Sequence, residues 1–504
     1  MTTMNNNKIL AFGVSALAVM AAGCSDDFLE VTSPTQDFID TYFTTDEHVQ
    51  EAVVAAYDPL HWTDWGCGEY NPINLISDIM ADQIWVGGSD KTDNQAWHLS
   101  MNYEALPTNC IGYGGGIWTD AYSGVKRCND VLTYLTWAAE DITAEDAAYY
   151  EAQVRVLRVN YYTWLWKFWG NIPYYEKNLE YPYIAEQYTA DEVYNSMIAD
   201  LETAISLNAL PMKESSMNYG RVTKAMAYML YAEIVMYQND KSRYATALNY
   251  MEEIINSGEY ALVDDYGTIF KEEGEWSSES IFEINYKDDN AVRSWSSPLY
   301  AGGTVIPRLI GIPNIIDCPG YDSGWGFCPV RKETYDMYNE KDARRAATCF
   351  YAEPNVAYKP RYQDTGYFLE KYIGHTGDNA DQLADADLNY NNNLRIYRFS
   401  ETLLNAAELG SSNAKKYLNM VHQRAGLTDE IEATAENILQ ERALEFVGEG
   451  KRYWDLIRTG NAASVLVPDE YGYRTNTWSE NKKYWPIPQS EIDAAQNSLK
   501  QNNY

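Results

Sequence analysis

EAQVRVLRVNYYTWLWKFWG, from Glu151 to Gly170, decides the fold class. Val154, Leu157, Tyr161, Leu165 and Phe168 recur at three- and four-residue steps, which places them on one face of a helix. The same spacing returns in RVTKAMAYMLYAEIVMY at 221–237, through Val222, Met226, Met229 and Leu230, and continues after a short polar gap through Ala247, Met251 and Ile254. The pattern predicts antiparallel helix pairs: about 149–169 with 191–207, 221–237 with 243–257, and 394–409 with 413–425.

Stacked pairs of this kind resemble tetratricopeptide architecture, although no strict 34-residue period survives, so the expectation is a mainly α, degenerate helix-pair scaffold. Between the pairs lie stretches of another character. Residues 60–116 and 260–393 are rich in Gly, Pro, Asn, Asp and Trp, with brief strand-like runs such as SIFEINY at 280–286. Loops of such length are functional or ordered by their own packing. No linker divides the helical pairs, so residues 24–504 read as one domain.

The composition narrows the function classes. The chain has 504 residues, 46% of them hydrophobic, and a formal charge of −35 from 73 acids against 38 bases. No basic run is long enough to follow a phosphate backbone, which argues against nucleic acid. Aromatic residues make up 14%, with 15 Trp and 43 Tyr, more than a core calls for, so some belong to surfaces or grooves.

At the N-terminus, Ile9 to Ala22 form an apolar, uncharged run after Lys8, and Ala21-Ala22-Gly23 stand directly before Cys24. The run has the length of a secretory core and is too short to span a bilayer. Small residues before a cysteine predict a lipoprotein signal peptide over 1–23 with lipid attached at Cys24; plain secretion with cleavage near Ala22 is the alternative. Acyl chains on that cysteine would tether the mature chain. Six cysteines remain: Cys67, Cys110, Cys128, Cys318, Cys328 and Cys349. Cys318 and Cys328 share a Gly/Pro-rich loop and are the favoured disulfide.

Motifs for catalysis are sparse. His48, His61, His98, His375 and His422 show no paired metal spacing, GYGGGIW at 112–118 lacks the last glycine of a dinucleotide fingerprint, and neither a nucleophile elbow nor a phosphate loop occurs. No cofactor or metal is therefore expected. Asp385, Asp387 and Asn389 alternate like the start of a calcium loop, but Tyr390 and Ile396 occupy its glycine and bidentate-acid positions, which favours a solvated acidic loop.

ERALEFVGEGKRYWDLIRTG, 441–460, concentrates charge. Glu441 and Glu445 lie four apart on a predicted helix, with Cβ atoms about 5–6 Å apart, near the roughly 5–5.5 Å carboxyl separation of a retaining glycosidase. A glycosidase acid needs a raised pKa, whereas Arg442, Lys451, Arg452 and Arg458 bring positive charge close. A structural ion network is the favoured reading, and hydrolysis by Glu441 and Glu445 the lesser one.

That same stretch resembles the C-terminal signature of the SusD/RagB family of Bacteroidetes outer-membrane lipoproteins. YWPIPQSEIDAAQNSLKQN at 484–502 resembles the family's closing segment. Further similar stretches are CSDDFLEV (24–31), WTDAYSGVKRCNDVL (118–132), RVLRVNYYTWLWKFWGNIPYY (155–175), YNEKDARR (338–345) and LRIYRFSETLLNAAE (394–408). The resemblance implies a tetratricopeptide-like scaffold carrying a loop-rich ligand region. It also implies a non-catalytic cell-surface protein that captures oligosaccharides and passes them to a TonB-dependent, SusC-like transporter; a transporter lid for peptide or another nutrient is the alternative. Ser25-Asp26-Asp27 are similar to the family's surface-export signals. By region alone, the resemblance implies an aromatic platform drawn from Trp85 and Trp97 in the first loop stretch and Trp295, Tyr300, Tyr321 and Trp325 in the second. Asp82, Asn94, Asn102 and Arg293 are the hydrogen-bonding candidates, and Trp97, Trp295 and Trp325 lead the set.

Overall fold

A computed structural model describes residues 39–66, 68–352, 356–379 and 383–504. The signal peptide expected over 1–23, the lipid site expected at Cys24, and Cys67 lie outside the described residues. Ten helices build the scaffold: α1 (Asp46–Tyr57), α2 (Gly116–Trp137), α3 (Ala144–Trp169), α4 (Ala190–Ser206), α5 (Lys224–Gln238), α6 (Tyr244–Ser257), α7 (Phe399–Glu408), α8 (Ala414–Arg424), α9 (Ala435–Glu445) and α10 (Arg452–Arg458). From α2 onward each packs on the next, α1 lies against α2 and α3, and α10 returns to α5.

Local sequence sets the helix starts. Thr143, Thr189 and Thr223 stand at N-caps with their hydroxyls accepting from backbone amides three residues on, and Glu192 completes a capping box with Thr189. Periodicity identified one apolar face of α3, yet every residue from Val156 to Trp169 is buried, because neighbours enclose the helix. Burial of its charges is compensated: Arg158 meets Asp200 at 2.8 Å and Lys167 meets Glu233 at 2.5 Å. Helices α2 and α3 approach closely at Gly124, where a Cβ would lie 2.3 Å from the Tyr161 ring.

The first two predicted pairs match α3 with α4 and α5 with α6. The third needs correction. Residues 394–398 are a strand, and the helix begins only at Phe399. LRIYR pairs antiparallel with Ser280–Ile284, inside the strand-like SIFEINY run. Both strands are largely buried, so ladder hydrogen bonds satisfy backbone that helix periodicity alone would have coiled. Three further two-stranded antiparallel ladders occur among the described residues: Ile172–Pro173 with Gln187–Tyr188, Ile315–Asp317 with Ala357–Tyr358, and Cys349–Tyr351 with Tyr367–Leu369.

The two loop regions bind each other. Trp85 N donates to Pro329 O and Cys328 N to Val86 O, both at 2.9 Å. Gly87 permits this approach: it has φ +77°, and a Cβ there would lie 2.3 Å from Gly326 O. The expected Cys318–Cys328 disulfide is absent, and both thiols are free. Cys328 is buried in the main core while Cys318 packs against a separate small core around Ile312 and Phe368, so the two side chains serve different clusters. No described helix is long and apolar enough to cross a membrane.

Candidate functional site

Four aromatic rings close into a circuit where the two loop regions meet. The Trp65 and Tyr70 rings tilt on each other with centroids 4.4 Å apart. Trp295 lies edge-on to Trp65 at 5.5 Å and stacks on Trp325 at 6.1 Å and 28°. Trp325 meets Tyr70 edge-on at 5.9 Å, which completes the circuit. Trp295 is 39% exposed and neighbouring Tyr300 61%. The Arg308 guanidinium lies 5.9 Å from the Trp325 ring and pairs with Asp387 at 3.1 Å. Arg361 donates to Trp325 O at 2.5 Å and faces Asp93 at 3.6 Å. The site is therefore a set of ring faces and edges bordered by charged hydrogen-bonding groups.

A buried ion pair fixes these loops. Arg293 is fully buried and makes two bonds to Asp64, at 2.7 and 3.0 Å. It also donates to Pro298 O at 2.7 Å, Gly303 O at 2.9 Å and Trp65 O. Asp64 accepts in addition from Trp65 N at 2.7 Å, and from Thr304 Oγ1 and Val305 N at 2.8 Å. One guanidinium thus ties the Trp65 backbone to the loop bearing Trp295. Asp385 accepts from Trp295 N at 2.9 Å. His61, beside this pair, is pushed down to about 4 by burial and by the Arg293 charge, so it is neutral at pH 7.

Of the sequence candidates, Trp295 and Trp325 are in the circuit and Tyr300 is close in sequence on an exposed turn. Others have structural duties. Trp97 is buried, donates to Tyr70 O at 3.1 Å and packs edge-on against Phe327, so it supports the circuit from beneath. Trp85 is buried under the Arg331 guanidinium, 3.4 Å from the ring centroid. Neither presents a ring face to solvent, and Arg293 is enclosed by its own partners; burial corrects these three as direct ligand contacts. Asp82 is engaged by Arg452 at 2.8 and 2.9 Å. Asn102 holds the backbone of Thr475 and Asn476. Asn94 takes φ +49° at the start of helix Gln95–Met101. Tyr321 packs on Phe350 and His375, with its hydroxyl 3.3 Å from both Glu370 oxygens. The Asp385 and Asp387 carboxylates serve Trp295 and Arg308, the Asn389 amide donates to Arg293 O and to Asp385 O at 2.8 and 2.7 Å, and no metal-holding cluster occurs among the described residues. Sequence reading missed Trp65 and Tyr70. The Trp-Thr-Asp-Trp run at 62–65 was the available signal, but nothing local says which of its rings is exposed.

The acids of 441–460 lie in the interior. Glu441 and Glu445 are buried and share Arg344 at 2.7 and 3.1 Å. Glu445 also meets Arg424 at 2.5 Å and Arg398 at 3.0 Å, and Glu441 meets His422 at 3.0 Å. Burial raises the Glu445 pKa, but Arg424, Arg398 and Arg344 outweigh it and hold the carboxyl far below its ordinary range. Glu449 binds Lys371 at 2.7 Å and Arg398 at 2.8 Å. Gly450, with φ +73°, lets the chain pass where a Cβ would lie 2.9 Å from Asn74 Cα. The signature is a bundle of buried ion pairs that locks the C-terminal helices to the loop regions.

The scaffold and this signature are those of a SusD-type protein. The SusD family matches residues 331–504, and a family described as starch-binding associating with outer membrane matches 27–236. The chain belongs to the SusD family. Among solved structures it is similar to surface glycan-binding protein A of Bacteroides thetaiotaomicron in complex with laminarihexaose, at 66% identity and TM-score 0.88, covering 92% of this chain and 100% of that one. The corresponding protein of Bacteroides uniformis is 48% identical, with TM-score 0.84 and coverage of 91% and 100%. SusD-like protein P25 of Formosa agariphila is 25% identical over 96% of this chain and 97% of its own length.

Proposed function

We propose that this chain is a non-catalytic cell-surface protein that binds neutral gluco-oligosaccharides of the laminari type. The Trp65–Tyr70–Trp325–Trp295 circuit carries the reading. Pyranose rings have apolar C–H faces and polar rims, so exposed aromatic surface covers the faces while Arg308, Asp387 and Arg361 reach hydroxyls. The laminarihexaose complex of the relative that is 66% identical supports that sugar class. Lipid at Cys24 anchors the protein to the outer membrane, and a SusC-like TonB-dependent transporter receives the glycan; both parts rest on family likeness. The binding role also fits Glu441 and Glu445, whose carboxyls are committed to arginines and the interior.

Calorimetric titration with laminarihexaose and a polysaccharide panel tests the reading. Trp295→Ala and Trp325→Ala are each expected to weaken binding about ten-fold or more, as loss of a central aromatic anchor does. Unchanged affinity in both would remove the circuit as the site. Co-purification of a TonB-dependent barrel with the lipidated chain, without glycan binding anywhere in the panel, would favour another nutrient.

A further inference from the structure

A second concavity, of about 480 Å³, lies between α2, the loop after α3 and the C-terminal helix Gln489–Ala494, and none of the four circuit rings lines it. That volume suits a small ligand. On its wall Tyr122 and Tyr175 are parallel within 11°, with centroids 6.0 Å apart. Tyr183, 68% exposed, stands at its edge. Asn178 lines the same space. Its Nδ2 donates to Asp130 at 2.5 Å, while its Oδ1 is buried and accepts no hydrogen bond. A buried acceptor without a donor is costly, so this lining residue keeps hydrogen-bonding capacity for a ligand hydroxyl.

Charge selects the ligand class. Lys126, the one basic residue of the lining, is already matched by Asp130 at 2.7 Å, and the Glu491 carboxyl shares the space, so the lining favours a neutral, hydroxyl-bearing molecule over an anion. Ile184 and Ala185 also line an adjacent cleft of about 700 Å³ bounded by Gln187 and Gln501. Two adjoining clefts along one segment give room for a chain of sugars rather than a single ring.

We propose that this groove is a second glycan site, which takes another segment of the neutral polymer held by the Trp295 circuit. It rests on the glycan-binding reading of that circuit. Two sites on one chain raise avidity for a long polymer even when the second is weak.

Hydrogen exchange of the full chain, titrated with laminarihexaose up to saturation, tests it in wild type, Trp295→Ala/Trp325→Ala and Tyr183→Ala. Slowed exchange over 173–185 is expected in wild type and in the circuit variant. The exposed Tyr183→Ala change should lower the concentration response there about ten-fold, as loss of a ring contact does, and leave protection at 62–70 intact. Protection at 62–70 without any over 173–185 overturns the second site and leaves the first. No protection anywhere in wild type overturns both. Protection of 173–185 by a transporter but not by sugar also overturns the proposal and makes this face a protein interface.

Discussion

Arg293→Met separates scaffold from site. Arg293 makes five hydrogen bonds, two to Asp64 and one each to the carbonyls of Trp65, Pro298 and Gly303. Methionine retains much of the volume but leaves Asp64 charged and fully buried, and breaking a buried pair in this way costs about 3–5 kcal/mol. Unfolding entropy of about 2.1 cal/mol/K per residue over roughly 480 residues is about 1 kcal/mol/K. The melting temperature should therefore fall by about 3–5 °C. Because the pair ties the Trp65 backbone to the Trp295 loop, laminarihexaose affinity should fall about as far as in Trp295→Ala. Differential scanning calorimetry and isothermal titration read the two effects. Asp64→Asn/Arg293→Met removes the stranded charge and should recover part of the melting temperature while affinity stays low. A single variant that melts and binds like wild type would refute the brace.

Asp78 offers a pH signature. Its carboxyl accepts from Gly448 N and Gly450 N at 3.1 Å, and burial pushes it from 3.8 up to about 7. The native state holds a proton that the unfolded chain releases, so this contribution is complete below pH 4 and is lost as pH rises toward 7, a span of at most about 4 kcal/mol. Asp78→Asn keeps an acceptor without the ionisation; melting curves from pH 4 to 8 should decline less steeply than wild type, and an unchanged slope would count against it. Glu445→Gln should destabilise by about 3–5 kcal/mol, since three arginines lose their shared counter-charge. Reducing-sugar assays on laminarihexaose should show no release by wild type, and release that vanishes in Glu441→Gln would restore a hydrolase reading.

Legibility followed the range of the interactions. Helices α3 to α6 were readable because their apolar spacing acts within a few residues. LRIYR was misread because its strand partner is more than a hundred residues away. The disulfide expectation failed for a similar reason: sequence proximity placed Cys318 and Cys328 in one loop, while packing directed them to different cores.

The ring circuit shows the same division. Composition announced surplus aromatics, and the 441–460 signature identified the scaffold, because both are properties of the chain as written. Which rings face solvent depends on which others they meet: Trp65 needs Trp295, and Tyr70 needs Trp325, across more than two hundred residues. Trp97 and Trp325 look alike in sequence, as tryptophans inside the Gly-, Pro-, Asn- and Asp-rich regions 60–116 and 260–393. Only tertiary packing buried the first beneath Tyr70 and placed the second in the circuit, because burial is decided by what folds over a side chain and not by its neighbours along the chain.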